Sequence, residues 1–444
     1  MKNIPPEYGR ERSKGMLKPN GAAELAAFTE RSYQERITEV VPGILHVLGV
    51  GHSNAVIIEG RTGVILIDTL DTLERGRRLL EIVRRRTDKP VKTIIYTHGH
   101  PDHRGGAGAF SGTEPEIIAF APATPLLKGT ETVQAVLNRR GARQFGYALT
   151  DAENISQGIG IREGIAHGES RAFRQPTVVY DEDRVVRDID GVRLEMVRLP
   201  GESDDQIMIW LPEREVLCCG DTYYGCWPNL YAIRGSQYRD IARWIESLDA
   251  LLACQAAYLL PGHTRPLLGK EEVREVLTHF RDAIRYVLDK TLEGMNEGKD
   301  MDTLASEIAL PEPYASLPYL GEYYGCVEWT VRAIFTAYAG WFDGNPTRLH
   351  PLPPKEHADK TIALMGGPEA VLKAAEEAVR NGEHQWCLEL CDLLLSAGKD
   401  VEEAGEHKRR ALIGLADRET SANGRHYYLV CAHELERRTE RDGR

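Results

Sequence analysis

The chain has 444 residues, a hydrophobic fraction of 42%, a charged fraction of 27% and a formal net charge of −12. This length allows two or three domains, each with a core of its own, and the composition is typical of a globular protein. The acidic balance argues against a nucleic-acid partner, which would need a basic surface.

The amino terminus lacks the apolar core of a secretory signal, and no apolar run has the length of a membrane span. Eight cysteines are scattered along the chain without a CxxC pair, which favours a reducing compartment. We therefore expect a cytoplasmic protein with no membrane partner. Cys387 and Cys391 lie four residues apart on a predicted helix, and we interpret them as core residues rather than metal ligands.

Residues 1–38 are polar, and we expect them to form an N-terminal arm with a short helix near residues 24–33. After this arm, short apolar and β-branched runs separated by glycine or proline predict a meander of strands. These runs are residues 38–41, 44–50, 54–59 and 63–68. Asp68 ends the last of them, directly after a strand that is apolar throughout.

An amphipathic helix is predicted at residues 72–86 and a buried strand at residues 91–96. The sequence THGHPDHRGG follows this strand at residues 97–106. It offers three imidazoles and one carboxylate within six residues: His98, His100, Asp102 and His103. Such a set suits a divalent metal, above all zinc, and the loop after a strand is where ligands bind in α/β proteins. The alternative is a turn that is rich in histidine by chance.

A strand is predicted at residues 116–120, and residues 122–175 then form a long segment that carries several cations. Long irregular segments beside a site often serve as substrate loops or lids, and the sequence leaves open whether this one touches substrate or is structural. Further strands are predicted at residues 177–180, 184–187, 192–198, 215–220 and 257–260.

The HxHxDH pattern resembles the metallo-β-lactamase superfamily, whose fold is an αββα sandwich, and the later motifs of that superfamily follow in order. Asp68 resembles the acidic residue that supports the metal loop from behind. Glu202 stands where most members carry a histidine after Pro-Gly, Asp221 follows a strand that ends in glycine, and His263 follows Pro261-Gly262.

This resemblance implies two divalent metals, most simply zinc, with manganese or iron as alternatives. One metal is expected to be held by His98, His100 and Glu202. The other is expected to be held by Asp102, His103 and His263. Asp221 would lie between the two metals, and the resemblance gives Asp102 and Asp221 catalytic roles.

Three further features resemble the alkyl sulfatase family. They are the glutamate at position 202, the sequence PNLYAIRG at residues 228–235 and the sequence GWFDGNP at residues 340–346. The resemblance covers nearly the whole chain. It implies a catalytic domain over residues 39–270 and an all-α dimerisation domain over residues 271–444. In the latter, amphipathic helices are predicted at residues 368–381, 384–397 and 401–420. The dimerisation domain that the resemblance implies leads us to expect a homodimer or a larger homo-oligomer.

The implied reaction is hydrolysis of a small anionic ester, a sulfate monoester, to alcohol and sulfate. Asn229 and Arg234 would bind the sulfate oxygens, because an amide and a guanidinium fork suit a tetrahedral oxyanion. Tyr223, Tyr231 and Tyr324 are candidate proton donors or pocket walls. Arg239 and Asp240 are interpreted as an ion pair behind the site.

The chain departs from the family in three ways. Asp221 replaces the usual glutamate, Trp227 and Pro228 stand where polar residues are expected, and the family's C-terminal sterol-carrier-like domain is not expected here. The last departure argues against long-chain detergent substrates. Alternatives are a hydrolase of another ester class (thioester, lactone or phosphoester), a non-catalytic dimeric binding protein and an oxygen-using mono-iron enzyme. These residues leave open the alcohol moiety and the choice between C–O and S–O cleavage.

Overall fold

The computed structural model describes residues 17–124 and 127–442. The first 16 residues of the predicted N-terminal arm therefore lie outside the described part. The remainder of the arm contains the predicted short helix, α1 (Gly21–Ser32), which buries Leu25 and Phe28.

One sheet has seven strands, which lie side by side in chain order. They are β1 (Arg36–Val41), β2 (Ile44–Leu48), β3 (Ala55–Glu59), β4 (Val64–Ile67), β5 (Val91–Ile95), β6 (Glu116–Phe120) and β7 (Val178–Tyr180). Strands β1 to β4 pair antiparallel, as a meander does, and β4 to β7 pair parallel. The sequence predicted each of these strands to within a few residues.

The other sheet has six strands. They are β8 (Arg184–Ile189), β9 (Val192–Arg198), β10 (Ile207–Leu211), β11 (Val216–Gly220), β12 (Tyr258–Pro261) and β13 (Leu267–Leu268), in the order β13-β12-β11-β10-β9-β8. Strands β11 and β12 are parallel, and the other neighbours are antiparallel. Strand β10 was not predicted, because its apolar run has no alternation and follows closely on the Glu202 motif.

The remaining α-helices are α2 (Leu73–Arg86), α3 (Pro101–Arg104), α4 (Gln134–Gln144), α5 (Asp151–Asn154), α6 (Ile241–Ala253), α7 (Lys270–Asn296), α8 (Met301–Glu307), α9 (Val327–Ala339), α10 (Pro354–Leu364), α11 (Pro368–Arg380), α12 (His384–Ala397), α13 (Val401–Arg418) and α14 (Ala422–Asp442). Among the described residues, no helix is both long and apolar enough to cross a bilayer.

Four layers form the first part of the chain. The two sheets face each other across a core to which Ile58 and Ile95 contribute from one side and Ile209 and Cys218 from the other. The outer face of the seven-stranded sheet packs on α2, and that of the six-stranded sheet packs on α6 and α7. Each sheet thus buries both faces, and the predicted αββα sandwich is confirmed.

Helices α7 to α9 belong to the same core as the second sheet, since Phe280, Leu304 and Ile334 pack in one cluster with Leu217. The predicted domain boundary at residue 270 is the first residue of α7, and the hydrophobic core continues across it. Helices α10 to α13 bury a separate core. Cys387 and Cys391 lie fully buried inside it as free thiols, in agreement with the prediction that they are core residues.

Candidate metal centre

The metal loop begins where β5 ends and continues into α3, whose first residue is Pro101. Asp68, directly after β4, holds this loop from behind. Its carboxylate accepts hydrogen bonds from the Thr97 backbone N–H (2.8 Å) and hydroxyl (2.7 Å), and it lies 2.8 Å from Nδ1 of His103. The predicted supporting role of Asp68 is therefore seen in the structure. Because Nδ1 of His103 donates to a carboxylate, its Nε2 is left to face the site.

One group of donor atoms gathers around His100. Its Nδ1 lies 2.9 Å from Nε2 of His98 and 3.5 Å from Oε2 of Glu202. The Nε2 atom of His98 is in turn 3.6 Å from Oδ2 of Asp221. His100 thus lies beside both residues proposed to share its metal. The donors that all lie within 4.8 Å of one another are those of His100, Glu202 and Asp221, and those of His98, His103 and Asp221.

A second group gathers around Asp102. Its Oδ2 lies 3.3 Å from Nε2 of His103 and 3.3 Å from Nε2 of His263. Both of these nitrogens are also 3.3 Å from Oδ2 of Asp221. Asp221 therefore stands between the two groups, where the resemblance places it.

The donor set fits divalent cations. Nε2 of His103 and Oδ1 of Asp221 are buried without a hydrogen-bond partner, and donor atoms spaced by about 3–4 Å match the ligands of a common ion. Burial lowers the pKa of His98 to about 3, whereas the carboxylates of Asp221 and Asp102 outweigh burial and raise the pKa of His103 and His263. Burial opposes the ionisation of Asp221, yet the charges of His103 and His263 lower its pKa well below the usual range.

Glu202 is fixed by two neighbours that the sequence did not assign to it. The Tyr224 hydroxyl donates to its Oε1 (2.7 Å), and Nη1 of Arg239 lies 3.2 Å from the same oxygen. The predicted Arg239–Asp240 ion pair is wrong. Asp240 instead caps α6 by accepting from backbone N–H groups, because its place before the helix suits an N-cap.

A cavity of about 1060 Å³ opens over the metal centre. Its walls include α4, residues 234–239 and five of the proposed metal ligands, which are His100, Asp102, Glu202, Asp221 and His263. Arg234 therefore faces this space. Asn229 does not line this cavity. Its side chain is buried with neither amide atom paired, and its backbone oxygen accepts from Arg239.

The three candidate tyrosines lie in different surroundings. Tyr324 lines the cavity, Tyr223 packs against Phe280 in the core with ring centroids 5.0 Å apart, and Tyr231 is half-buried away from the cavity lining. Of the three, Tyr324 alone is placed to meet a substrate. Tyr224, which the sequence analysis did not single out, contacts a metal-site residue.

The long segment at residues 122–175 contributes a polar cluster that the sequence analysis did not identify. Glu163 lines the cavity and accepts hydrogen bonds from the Tyr147 hydroxyl (3.0 Å) and the Arg171 guanidinium (2.5 Å). Burial raises the pKa of Glu163 to about 7. His52, from the loop between β2 and β3, also lines the cavity and was missed, because a single histidine in a strand meander carries no motif.

The fold and the two donor groups define a class of metal-dependent hydrolases. Residues 48–263 match the family model of the metallo-beta-lactamase superfamily, and residues 300–438 match the model described as alkyl sulfatase dimerisation.

Similar proteins narrow this class. A linear primary-alkylsulfatase of a Pseudomonas species is 38% identical over 87% of this chain and 74% of its own length. The alkyl/aryl-sulfatase BDS1 of Saccharomyces cerevisiae is 32% identical over 89% of this chain and 63% of its own length. The solved stereoselective inverting sec-alkylsulfatase Pisa1 from Pseudomonas superposes with a TM-score of 0.81 at 26% identity, covering 97% of this chain and 75% of that one. This chain therefore belongs to the alkylsulfatase family of the metallo-β-lactamase superfamily.

Proposed function

We propose that this protein is a metal-dependent hydrolase that cleaves alkyl sulfate monoesters to an alcohol and inorganic sulfate. The observation that carries the proposal is the convergence of seven donor residues beneath one cavity whose wall presents Arg234. The alkylsulfatases among its relatives span most of the chain, which supports the same reaction.

We assign His98, His100 and Glu202 to one divalent ion, Asp102, His103 and His263 to the other, and Asp221 to both. Two such ions would supply hydroxide at neutral pH by lowering the pKa of a shared water from about 15.7 toward 7. Zinc is our first choice because imidazoles provide four of the seven donors.

Arginines are proposed to bind the sulfate group. Arg234 and Arg239 both face the cavity, and the guanidinium fork matches a tetrahedral oxyanion. Asn229 stays a candidate because its side-chain amide is buried without a partner, next to Arg239. Tyr324, at the cavity wall, is the proposed tyrosine contact.

The alcohol moiety is proposed to lie along α4. Val133 and Leu137 present apolar side chains to the cavity, and Phe145 extends this wall towards Tyr147. An alkyl chain placed there would remove apolar surface from water, which stabilises the complex by about 0.8 kcal/mol for each buried methylene group. The proposed substrates are therefore alkyl rather than small hydrophilic sulfates.

A homo-oligomer is supported by the match of residues 300–438 to a dimerisation family, and we propose that it is a homodimer. All eight cysteines are free thiols, which supports a reducing compartment such as the cytoplasm.

The test pairs metal analysis of the purified protein with sulfate release from short and long alkyl and aryl sulfates. We expect about two metals per chain and release of inorganic sulfate. His100→Ala should lose metal and turnover together, whereas Arg184→Ala, at an exposed ion pair with Glu195, should change neither. Two metals without sulfate release, but with hydrolysis of acyl or phosphoryl esters, would replace this proposal by another ester class.

A further inference from the structure

His52 lies beside the proposed metal centre but is not part of any ligand motif in the sequence. It lies between β2 and β3, its side chain is 3% exposed, and it lines the cavity. Its ring packs against that of His263, with centroids 5.0 Å apart. Side-chain donors of His52, Asp102 and His263 all lie within 4.8 Å of one another.

The orientation of the His52 ring leaves one nitrogen for the site. Nδ1 lies 3.2 Å from the backbone oxygen of Ile161, and a carbonyl oxygen can only accept, so Nδ1 carries the proton. In the neutral ring, Nε2 is then unprotonated, and its lone pair can bind a metal. It lies 3.8 Å from Oδ2 of Asp102, one of the proposed donors to the second metal.

The backbone of His52 is held separately from its ring. Its N–H donates to Asp71 (3.1 Å), and its carbonyl oxygen lies 3.1 Å from Nδ1 of His263. Gly160 packs so closely that a Cβ there would lie 2.0 Å from this oxygen and 2.9 Å from Nδ1 of His52. The missing side chain of Gly160 therefore leaves room for both the backbone and the ring of His52.

We propose that His52 is an additional nitrogen ligand of the second metal, beside Asp102, His103 and His263. This inference rests on the metal site of the proposed function and extends it. With three imidazoles the second position becomes richer in nitrogen than the first, which has two imidazoles and Glu202. Because imidazole favours zinc over manganese, the second position should select zinc more strongly than the first.

The test measures metal affinity rather than turnover. Metal-free wild-type protein and His52→Ala are titrated with Zn²⁺ against a chromophoric chelator, and both are loaded with Co²⁺ for visible absorption spectra. We expect two sites in the wild type, with the affinity of one site lowered at least about 10-fold in His52→Ala and the Co²⁺ spectrum changed. Substituting the ring leaves the backbone contacts to Asp71 and His263 in place.

His279→Ala is the matched control, since this half-buried imidazole on α7 contacts Tyr319 and stands outside the donor groups. It should bind both metals as the wild type does. If His52→Ala does not fold, as judged by thermal melting of the metal-free form, His52→Gln replaces it. Two metals bound with unchanged affinity and an unchanged Co²⁺ spectrum would overturn the inference alone. A wild type that binds no metal would overturn the proposed function as well.

Discussion

Asp68 is a carboxylate that lies behind the proposed metal ligands and is expected to affect metal affinity. It holds both the metal loop, through Thr97, and the ring of His103. Partners of this kind typically change metal affinity 10- to 100-fold. Asp68→Asn should therefore bind metal about 10-fold or more weakly in a chelator titration. Asp249→Asn, at an exposed ion pair with Arg281, is the control and should leave the affinity unchanged.

The variant Arg234→Ala tests the proposed sulfate-binding role of Arg234. Arg234 lines the cavity, and its side chain donates to the backbone oxygen of Gly235 rather than to a proposed ligand, so Arg234→Ala should retain both metals. A hydrogen bond to a charged group contributes roughly 1.5–3 kcal/mol. We therefore expect KM for an alkyl sulfate to rise about 10- to 100-fold, measured by sulfate release at varied substrate. Unchanged kinetics would contradict the placement of the sulfate group beside Arg234.

At the scale of elements, α4 both walls the cavity and holds the Arg234 loop. Arg140 donates to the backbone oxygen of Ile233 (2.6 Å), and the Gln144 side chain accepts from the backbone N–H of Arg234 (2.9 Å). The segment that the sequence analysis left undecided is thus part of the site. The helix α4 supplies both the apolar wall of the cavity and the hydrogen bonds that hold residues 233 and 234.

Leu137 on α4 is expected to select for chain length. Leu137→Ala should lower kcat/KM for long alkyl sulfates about 3- to 10-fold, because apolar contact with the chain is lost, and should affect short ones little. The measurement compares both substrates under the same conditions. Val136→Ala is the matched control, since Val136 lies on the same helix outside the cavity lining. Equal effects on short and long substrates would place the chain elsewhere.

A second element-scale feature is the contact between the loop before α9 and the start of α14. Glu419 is buried there and Glu322 is half-buried. Desolvation raises the pKa of Glu322 to about 7 and that of Glu419 to about 8. The Glu419 carboxylate accepts from the Ser421 backbone N–H (2.8 Å), and Glu322 and Glu328 add negative charge nearby.

A raised pKa in the folded state stabilises at low pH, and this contribution is lost as pH rises from the unfolded value near 4.5 through 7 and 8. The melting temperature should therefore fall, on the order of 5 °C, between pH 6 and pH 9. Glu419→Gln should be more stable than the wild type at pH 9 and should lose most of this difference at pH 5. Thermal melts of both proteins at pH 5, 6 and 9 measure this difference. An equal difference in melting temperature at every pH would contradict the prediction.

At the scale of the whole molecule, several exposed apolar side chains lie at the end of α9 and in the segment that follows it. Tyr338, Trp341, Leu349 and Leu352 are 55%, 77%, 47% and 46% exposed, within the part that matches the dimerisation family. Large exposed apolar surfaces of this kind are typical of protein interfaces.

Trp341→Arg should therefore lower the molar mass measured by light scattering to that of a single chain. Val179→Asp, at an exposed site on the outermost strand of the seven-stranded sheet, should leave the mass unchanged. A variant at Trp341 that keeps the wild-type mass would place the dimer contact elsewhere.

The sequence predicted the strands and helices and the ligand-rich loop from local patterns, and the family resemblance supplied the αββα fold and the other three proposed donors. Strand meanders and helix periodicity are visible in short windows, and His98, His100, Asp102 and His103 follow one another on a single loop. Glu202, Asp221 and His263 each follow a strand that the sequence already predicted.

Only the tertiary structure decided which residues surround these ligands. Tyr224 and Arg239 on Glu202, the wall formed by α4, and His52 beside Asp102 depend on contacts between residues far apart in the chain. The same holds for Asp240, whose neighbour Arg239 is its nearest charge in sequence but not its partner in the fold. The spacing of residues along the chain is enough to recognise a motif. The side chains that surround the motif depend on how the sheets and helices pack.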